Sequence, residues 1–499
     1  MNLSRRGFTG SGAALYQRSR AAQPRPSRKN VLFLLSDQHR RDAIGIEGNP
    51  LAVTPRLDEL ARQGVRFSDA YCADPVCTPS RASIFTGLHT YHHRAWNNGS
   101  PWPFETKTIA HHFNHAGYMT AAIGKMHFVD AQTHGFDYRL DFNDWFQYLG
   151  PVTKLYSDEI NRANSGSGHP QIHNLWERGD PWLGARDDDR RQGLVHIGRP
   201  SLIPEEQHFE SFVARESIRF LREHGKKQPF FLVSGFLKPH DPYMPAERFA
   251  KMFRDTDMKL PETWGKVDLT RTPQEIANRI RRHTPTPELA NEAMARRRIA
   301  MYWANVAQLD AAVGQVLDTL RELNLENDTI VVYSSDHGEM LGDHGLFQKF
   351  VFYEPSAGVP LIFRIPGYAQ GQVSREPVSQ VQLAETLYEL CNIPSPGGLD
   401  GSSFLNVMQK PASARPGRTA PVHAAFNSQT KSGRTMLRKG KYKYSYYFND
   451  MPELYDLEND PHEMRNLALE ANHRSLAGEL KAELLQWGGS HPSTHETRG

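Results

Sequence analysis

Two short runs place an acidic residue directly behind a stretch of apolar ones. Val31-Leu32-Phe33-Leu34-Leu35-Ser36 leads into Asp37-Gln38, and Thr329-Ile330-Val331-Val332-Tyr333-Ser334-Ser335 leads into Asp336-His337-Gly338-Glu339. Continuous apolar runs of this length read as strands buried on both faces. The carboxyl ends of such strands are where a parallel sheet collects its functional groups. A strand-end Asp on its own reads as a helix cap, and a lone Asp-His-Gly reads as a turn. Two such pairs, taken with the Cys77 segment described below, point to one divalent-cation site. Carboxylate and amide oxygens suit Ca2+ or Mg2+, and the imidazole of His337 opens the site to Mn2+ or Zn2+.

Three further positions bring positive charge and imidazole. Gly124-Lys125-Met126-His127 follows the apolar Ala121-Ala122-Ile123, Lys238-Pro239-His240-Asp241-Pro242 follows the strand region Phe230–Phe236, and Lys349 stands beyond Asp336. Singly, each reads as a surface Lys or a loop His. Jointly, they offer cations for a tetrahedral oxyanion and two imidazoles for proton transfer. Sulfuryl and phosphoryl transfer need that arrangement, because charge builds on the equatorial oxygens and on the leaving oxygen. The remaining chemical feature is the run from Cys77-Thr78-Pro79-Ser80-Arg81 to Gly87. Read without context, it is a small buried Cys ahead of a helix with Pro in its first turn.

The elements that must carry these residues alternate. Apolar runs at Phe230–Val233, Thr329–Tyr333 and Pro360–Phe363 are separated by helical patterns, the clearest having Val306, Leu309, Val313, Leu317 and Leu320 at three- and four-residue spacing. This predicts an α/β domain over 30–415, a large, mostly parallel sheet sandwiched by helices, with right-handed crossovers bringing strand ends to one edge. Residues 416–499 change character. Lys441-Tyr442-Lys443-Tyr444-Ser445-Tyr446 alternates with period two, as an antiparallel strand with one wet face would. Asn449-Asp450-Met451-Pro452 reads as a turn, and a Leu- and Glu-rich helix closes a smaller α+β domain. Two stretches look like insertions. One, about 150–205, holds Trp176, Trp182 and a charge cluster from Arg186 to Arg191. The other, about 255–298, holds Arg281-Arg282 and Arg296-Arg297-Arg298, which read as a solvated helix face.

Composition narrows the class. The 499 residues allow two to three domains. A net charge of +3, from 59 basic and 56 acidic residues, gives no reason to expect a nucleic-acid partner. No apolar run approaches the ~20 residues of a membrane span, so no membrane partner is expected. Three cysteines, Cys72, Cys77 and Cys391, make no disulfide framework and lack the second pair of a zinc site. Residues 1–29 read as a leader or a basic tail. Ser4-Arg5-Arg6-Gly7-Phe8 resembles a twin-arginine export signal, but Arg18 and Arg20 interrupt the apolar stretch that should follow. The expectation is export to the periplasm, with a cytoplasmic protein as the alternative.

The motifs together resemble those of type I sulfatases, formylglycine-dependent members of the alkaline phosphatase-like superfamily. The resemblance spans about residues 30–470. Besides the segments above, it takes in Ser335 to Gly345 and runs from Leu454-Tyr455-Asp456-Leu457 through Asp460-Pro461-His462-Glu463 to Asn466-Leu467-Ala468. It implies that Cys77 is oxidised to Cα-formylglycine by a formylglycine-generating enzyme. The hydrated aldehyde is a geminal diol, in which one hydroxyl attacks and the other later expels the product. It further implies that Asp37, Asp336 and His337 bind one divalent metal, Ca2+ or alternatively Mn2+, with Gln38 as a further candidate ligand. Arg81 supports the formylglycine hydrate, Lys125 and Lys349 hold sulfate oxygens, His127 acts as base when sulfate leaves, and His240 protonates the departing alcohol with help from Lys349.

The chain departs from the commonest family pattern at two of these positions. Many members carry a second Asp where Gln38 stands and an Asn where His337 stands. The Gln/His version, with the segment His92 to Asn98, is similar to choline sulfatases and phosphonate monoester hydrolases, and it marks Asn98 as a candidate substrate contact. The Lys125/His127 pair is missing from the phosphonate hydrolases, whereas Lys238-Pro239-His240 is shared with iduronate-type sulfatases that act on glycans. The expected activity is hydrolysis of a small-molecule or glycan sulfate ester to alcohol and inorganic sulfate. Phosphonate monoester or phosphodiester hydrolysis on the same scaffold is the alternative, and a catalytically inactive binding protein is a third reading. Oligomeric state and the sulfated alcohol itself are not encoded in these motifs.

Overall fold

The computed structural model describes residues 28–100, 102–103, 105–128, 132–149, 198–201, 204–241, 243–283, 292–409, 421–426 and 433–487. Most of the 150–205 insertion, including Trp176, Trp182 and the Arg186–Arg191 cluster, lies outside the described residues, as does nearly all of the leader. The strands, in chain order, are β1 (Asn30–Asp37), β2 (Val65–Phe67), β3 (Ala70–Tyr71), β4 (Met119–Gly124), β5 (Tyr138–Leu140), β6 (Phe230–Pro239), β7 (Thr329–Ser335), β8 (Leu361–Arg364), β9 (Gln372–Ser374), β10 (Val378–Ser379), β11 (Val422–Phe426), β12 (Arg434–Lys439), β13 (Tyr442–Tyr447) and β14 (Glu453–Asp456). Eight of them form one sheet in the order β5-β4-β6-β1-β7-β8-β2-β9. Neighbours in it are parallel except where β8 runs antiparallel to β7 and β2. The short strands β3 and β10 make a separate parallel pair.

The apolar run of β1 is continuous because both faces of the sheet are covered. Val31, Phe33 and Leu35 pack in one layer with Ile84 and Phe85 of the Cys77–Thr86 helix, Phe113 and Leu387. Leu32 and Leu34 point the other way, among Phe212, Val213, Leu309 and Val313 of the Phe209–His224 and Glu292–Glu322 helices. Each large apolar side chain buried in this way contributes roughly 1.5–3 kcal/mol.

Register then sets the site. β1 lies between β6 and β7 and runs parallel to both, so Leu35 faces Gly235 and Ser334, Ser36 faces Ser335, and Asp37 faces Pro239 after a bulge. Three strand ends therefore meet at one edge. β4 joins them, with Gly124 opposite Gly235. Gly124 has φ 101°, and a Cβ there would collide with the Gly235 carbonyl, so only glycine lets the chain turn into Lys125 at that point.

The C-terminal part is an antiparallel sheet, β11-β12-β13-β14, covered on one face by the Arg474–Trp487 helix through Leu480 and Leu484. The expected wet face of β13 is not wet. Lys443 and Ser445 are buried because this face packs on the large domain, where the Lys443 ammonium meets Glu354 at 2.8 Å and the Phe352 carbonyl at 2.7 Å; Glu463, from the C-terminal part itself, closes on the same ammonium at 2.5 Å. Asn449, with φ 54°, lies in the turn between β13 and β14, as its turn sequence predicts. Trp487 stacks on His423 at 4.3 Å and meets His89 edge-on at 4.9 Å, tying the last helix to the large domain. Among the described residues, no helix is long and apolar enough to cross a membrane.

Burial lowers the pKa of His39 to about 4, of His93 to about 3 and of His344 to about 4. An imidazole depressed in this way binds fewer protons folded than unfolded. Its contribution is complete above the unfolded value of ~6.5 and is lost as pH falls toward the folded value. Each of the three is expected to cost about 2 kcal/mol of stability on going from pH 7 to pH 5. Urea midpoints measured across that range check this, and a flat profile would contradict it.

Candidate active site

The Cys77–Thr86 helix brings its first residue to the strand ends. Val76 enters it in an extended conformation, Pro79 sits in the first turn, and Gly87 closes it with φ 70°. All ten helix residues are buried. Arg81, one turn beyond Cys77, donates from Nε to Asp336 Oδ2 at 2.8 Å and from Nη2 to Asp37 Oδ2 at 3.0 Å, with all three side chains wholly excluded from solvent. Its Nη1 donates to the Lys125 carbonyl. Lys125 Nζ adds a second cation, 2.7 Å from Asp37 Oδ2. Burial alone would raise the Asp37 carboxyl, but Lys125, His240, Arg81 and His337 outweigh it and hold the pKa well below the usual range. Asp37 is therefore an anion.

Cys77 and the donors that face it form a cluster of the kind that could hold a metal ion. One ligand atom each of Asp37, Cys77, Asp336 and His337 lies within 4.8 Å of all the others, and all four residues are buried. Cys77 Sγ is 3.2 Å from His337 Nε2 and 3.8 Å from Asp37 Oδ1. The donor chemistry fits a divalent cation. His337 Nδ1 donates to the Gly338 carbonyl at 2.9 Å, which leaves the Nε2 lone pair facing the cluster, 3.2 Å from Cys77 Sγ. Asp37 Oδ2 is taken up by Arg81 and Lys125, while Oδ1 lies 3.7 Å from His240 Nε2, 3.8 Å from Cys77 Sγ and 4.0 Å from His337 Nε2. Burial pushes the unmodified Cys77 thiol up to about 11, reinforced by Asp37 and opposed by Lys125 and Lys349. A thiol so protonated is a poor nucleophile near neutral pH.

His240, Lys349 and Gln38 form the adjoining wall. His240 Nδ1 donates to the Asp241 carbonyl at 2.6 Å, so Nε2 accepts from Lys349 Nζ at 2.9 Å. Lys349 Nζ also donates to Gln38 Oε1 at 2.7 Å. Burial works against the Lys349 charge, but Cys77, Asp37, Asp241 and Asp336 more than offset it and raise its pKa. The His240 imidazole is held neutral, well below its ordinary pKa, by burial and then by Lys349 and Lys125. Gln38, with φ 65°, turns its Nε2 toward Glu339 Oε2 at 2.5 Å and Asp241 Oδ1 at 3.3 Å, which fixes Oε1 on the Lys349 side. His127 lies in the same loop as Lys125, half-buried and with φ 58°. Asn98 is exposed, and its Oδ1 accepts the Thr78 N–H at 3.1 Å.

Sequence reasoning missed the supports behind this wall. Glu339 is fully buried and also accepts from the Leu341 and Gln348 N–H groups, at 3.0 and 2.5 Å. Its place in Asp336-His337-Gly338-Glu339 was the available signal. Arg298 corrects an expectation outright. It is buried rather than on a solvated face, with its guanidinium 4.1 Å from the Phe347 ring and 5.1 Å from the Tyr243 ring. Burial opposes its charge, while Tyr243, Glu339 and Asp241 raise its pKa.

Residues 29–393 match the sulfatase family model, and residues 342–488 match the model for the C-terminal part of N-sulphoglucosamine sulphohydrolase. The chain belongs to the sulfatase family. An arylsulfatase of Clostridium perfringens is 30% identical over 92% of this chain and 94% of its own length. A choline-sulfatase of Rhizobium meliloti is 31% identical over 88% and 82%. The phosphonate monoester hydrolase of Agrobacterium radiobacter shares the fold, with a TM-score of 0.75 and 22% identity over 93% of this chain and 96% of that one. This sulfatase is thus a sulfuric ester hydrolase of the alkaline phosphatase-like architecture, in a family that uses a metal ion and formylglycine.

Replacing Asp336 by Ala in the sulfatase is expected to remove the bound divalent metal and turnover together. Elemental analysis of the purified variant checks this, and an active wild-type preparation without metal would contradict the site. Arg81→Met leaves the buried Asp336 carboxylate without its cation and Asp37 with Lys125 as its remaining close cation, and is expected to cost about 3–5 kcal/mol of stability, read from thermal unfolding.

Proposed function

We propose that Cys77 is the residue matured to formylglycine and that the surrounding residues divide the work of sulfate ester hydrolysis. The observation that carries this is the position of Cys77 Sγ, at the meeting point of the metal-binding cluster and Lys125 Nζ, which is 3.9 Å away. Once matured, Cys77 supplies a geminal diol, and a divalent cation on Asp37, Asp336 and His337 supplies Lewis-acid charge beside it. Lys125 and Lys349 approach from different strand ends and face the shared negative charge of the sulfate oxygens. The Lys349–His240 pair holds a proton for the departing alcohol. In the resting geometry that proton sits on Lys349, and the neutral imidazole accepts it. His127 is the base that assists sulfate release. Arg81 pairs with Asp37 and Asp336 and fixes the turn that follows Cys77.

The oxygen-rich donor set with one imidazole supports Ca2+, with Mn2+ as the alternative. Maturation is assigned to a formylglycine-generating enzyme, and the substrate to a small-molecule or glycan sulfate ester. Asn98 and the 150–205 segment are assigned to recognition of its alcohol. The Arg5-Arg6 leader supports export. Gln38 and His337 favour a phosphonate or phosphodiester substrate as a second reading. Lys125 argues against it, because a diester carries a second substituent where a sulfate presents an oxygen to that ammonium.

The test compares kcat/KM for 4-nitrophenyl sulfate and a phenylphosphonate ester on metal-replete protein whose Cys77 peptide shows formylglycine by mass. The sulfate is expected to be preferred, Lys125→Ala to lower its turnover about 10²–10³-fold, and Cys77→Ala to abolish it with circular dichroism unchanged. A preference for the phosphonate overturns the reading.

A further inference from the structure

Lys349 sits in a turn whose backbone is unusual on both sides. Gln348 has φ 65° and Phe350 has φ 80°. Left-handed backbone is disfavoured for any side chain and is an outlier for a bulky one such as Phe. Such conformations persist only where their surroundings over-determine them. The main chain of this turn is in fact gripped from several directions. Met340 N–H donates to the Gln348 carbonyl at 2.7 Å, Gln348 N–H to Glu339 Oε1 at 2.5 Å and Phe350 N–H to the Pro75 carbonyl at 3.3 Å.

Two arginines complete the grip, and both come from outside the large sheet and its covering helices. Arg279, on the Gln274–His283 helix, donates from Nη2 to the Phe347 carbonyl at 3.1 Å, with its guanidinium 4.9 Å from the Phe350 ring. Arg434, on β12 of the C-terminal sheet, donates from Nη2 to the Phe350 carbonyl. Arg434 is only 2% exposed and lies 4.3 Å from the Phe426 ring. The two are linked to each other, since Arg434 Nη1 is 3.4 Å from Oε1 of Glu275, on the same helix as Arg279. One carbonyl is thus held two residues before Lys349 and another one residue after it.

We propose that Arg434 and Arg279 are positioning residues for Lys349, clamping the Phe347–Phe350 turn so that its ammonium meets His240 at the departing oxygen, an inference that rests on the leaving-group role given to Lys349 above. Neither guanidinium needs to touch substrate. Each acts through a main-chain carbonyl, where a charged, directional donor is stronger than a neutral one. The C-terminal sheet is thereby part of the catalytic apparatus without lending it a reacting atom.

The test uses full-length, metal-replete, formylglycine-bearing protein and a series of aryl sulfates from 4-nitrophenyl sulfate to phenyl sulfate. A misplaced proton donor matters most where the departing phenoxide is most basic. Arg434→Met and Arg279→Met are each expected to lower kcat on phenyl sulfate by about 10²-fold, as an ångström-scale misplacement does, while 4-nitrophenyl sulfate loses less than about tenfold and KM moves little. Lys349→Ala should show the same steepened dependence on the leaving group. Combining it with Arg434→Met should add little, because the two act as one unit. Arg434→Lys should recover part of the loss, since it keeps the charge but not the planar fork. If Arg434→Met fails to fold, Arg279→Met, on a half-buried helix position, decides the question. Equal losses on all esters overturn the clamp and leave a purely structural role. Steepening in Lys349→Ala with none in either arginine variant overturns the clamp while sparing the role of Lys349. No steepening in Lys349→Ala overturns both.

Discussion

One guanidinium governs the centre of this molecule. Arg81 lies between the carboxylates of Asp37 and Asp336, and none of the three side chains is exposed to solvent. Burying two carboxylates this close together is costly unless each finds a partner. Removing the arginine would leave uncompensated buried charge, which is far costlier than the pair itself is favourable. Arg81 also belongs to the helix that begins at Cys77, so the ion pair that permits the carboxylates fixes Cys77 against them. Its third contact, to the Lys125 carbonyl, draws the end of β4 into the same arrangement. Chemistry and architecture are coupled here through a single side chain.

The sheet makes that coupling possible by its order rather than its size. With β1 between β6 and β7, Asp37, His240 and Asp336 leave neighbouring strands at one edge. Lys349 arrives by another route, on an irregular turn. The regular strands need little help to present their residues, whereas the turn must be held by Glu339, by the preceding loop and by elements far away in the chain.

Much of this was legible in the sequence, for identifiable reasons. Apolar runs ending in Asp37 and Asp336 predict buried strand ends, and the spacing from Cys77 to Arg81 predicts a helix turn, because both are local patterns. Three things were not legible. The wet face expected for β13 is dry, because periodicity shows which residues share a face but not whether a distant element covers it. Arg298 reads as one basic residue in a charged stretch, and only the folded helix reveals that it lies among Tyr243, Phe347 and Glu339. Gln38 reads as a candidate ligand, but the orientation of its amide is decided by Glu339 and Asp241, 301 and 203 residues away.

The central position of β1 also has a consequence in time. Leu32 pairs with Leu232 on one side and Val331 on the other. A strand made early cannot acquire either neighbour until two hundred, then three hundred, further residues exist. At typical synthesis rates of roughly 5–20 residues per second, the wait is on the order of tens of seconds. Non-local pairing of this kind is slow even in a complete chain. The Cys77 thiol has no solvent exposure in the finished molecule, yet the layers that will hide it are missing throughout that interval. Its burial is complete only once β7, which carries Asp336 and His337 at its end, has joined β1.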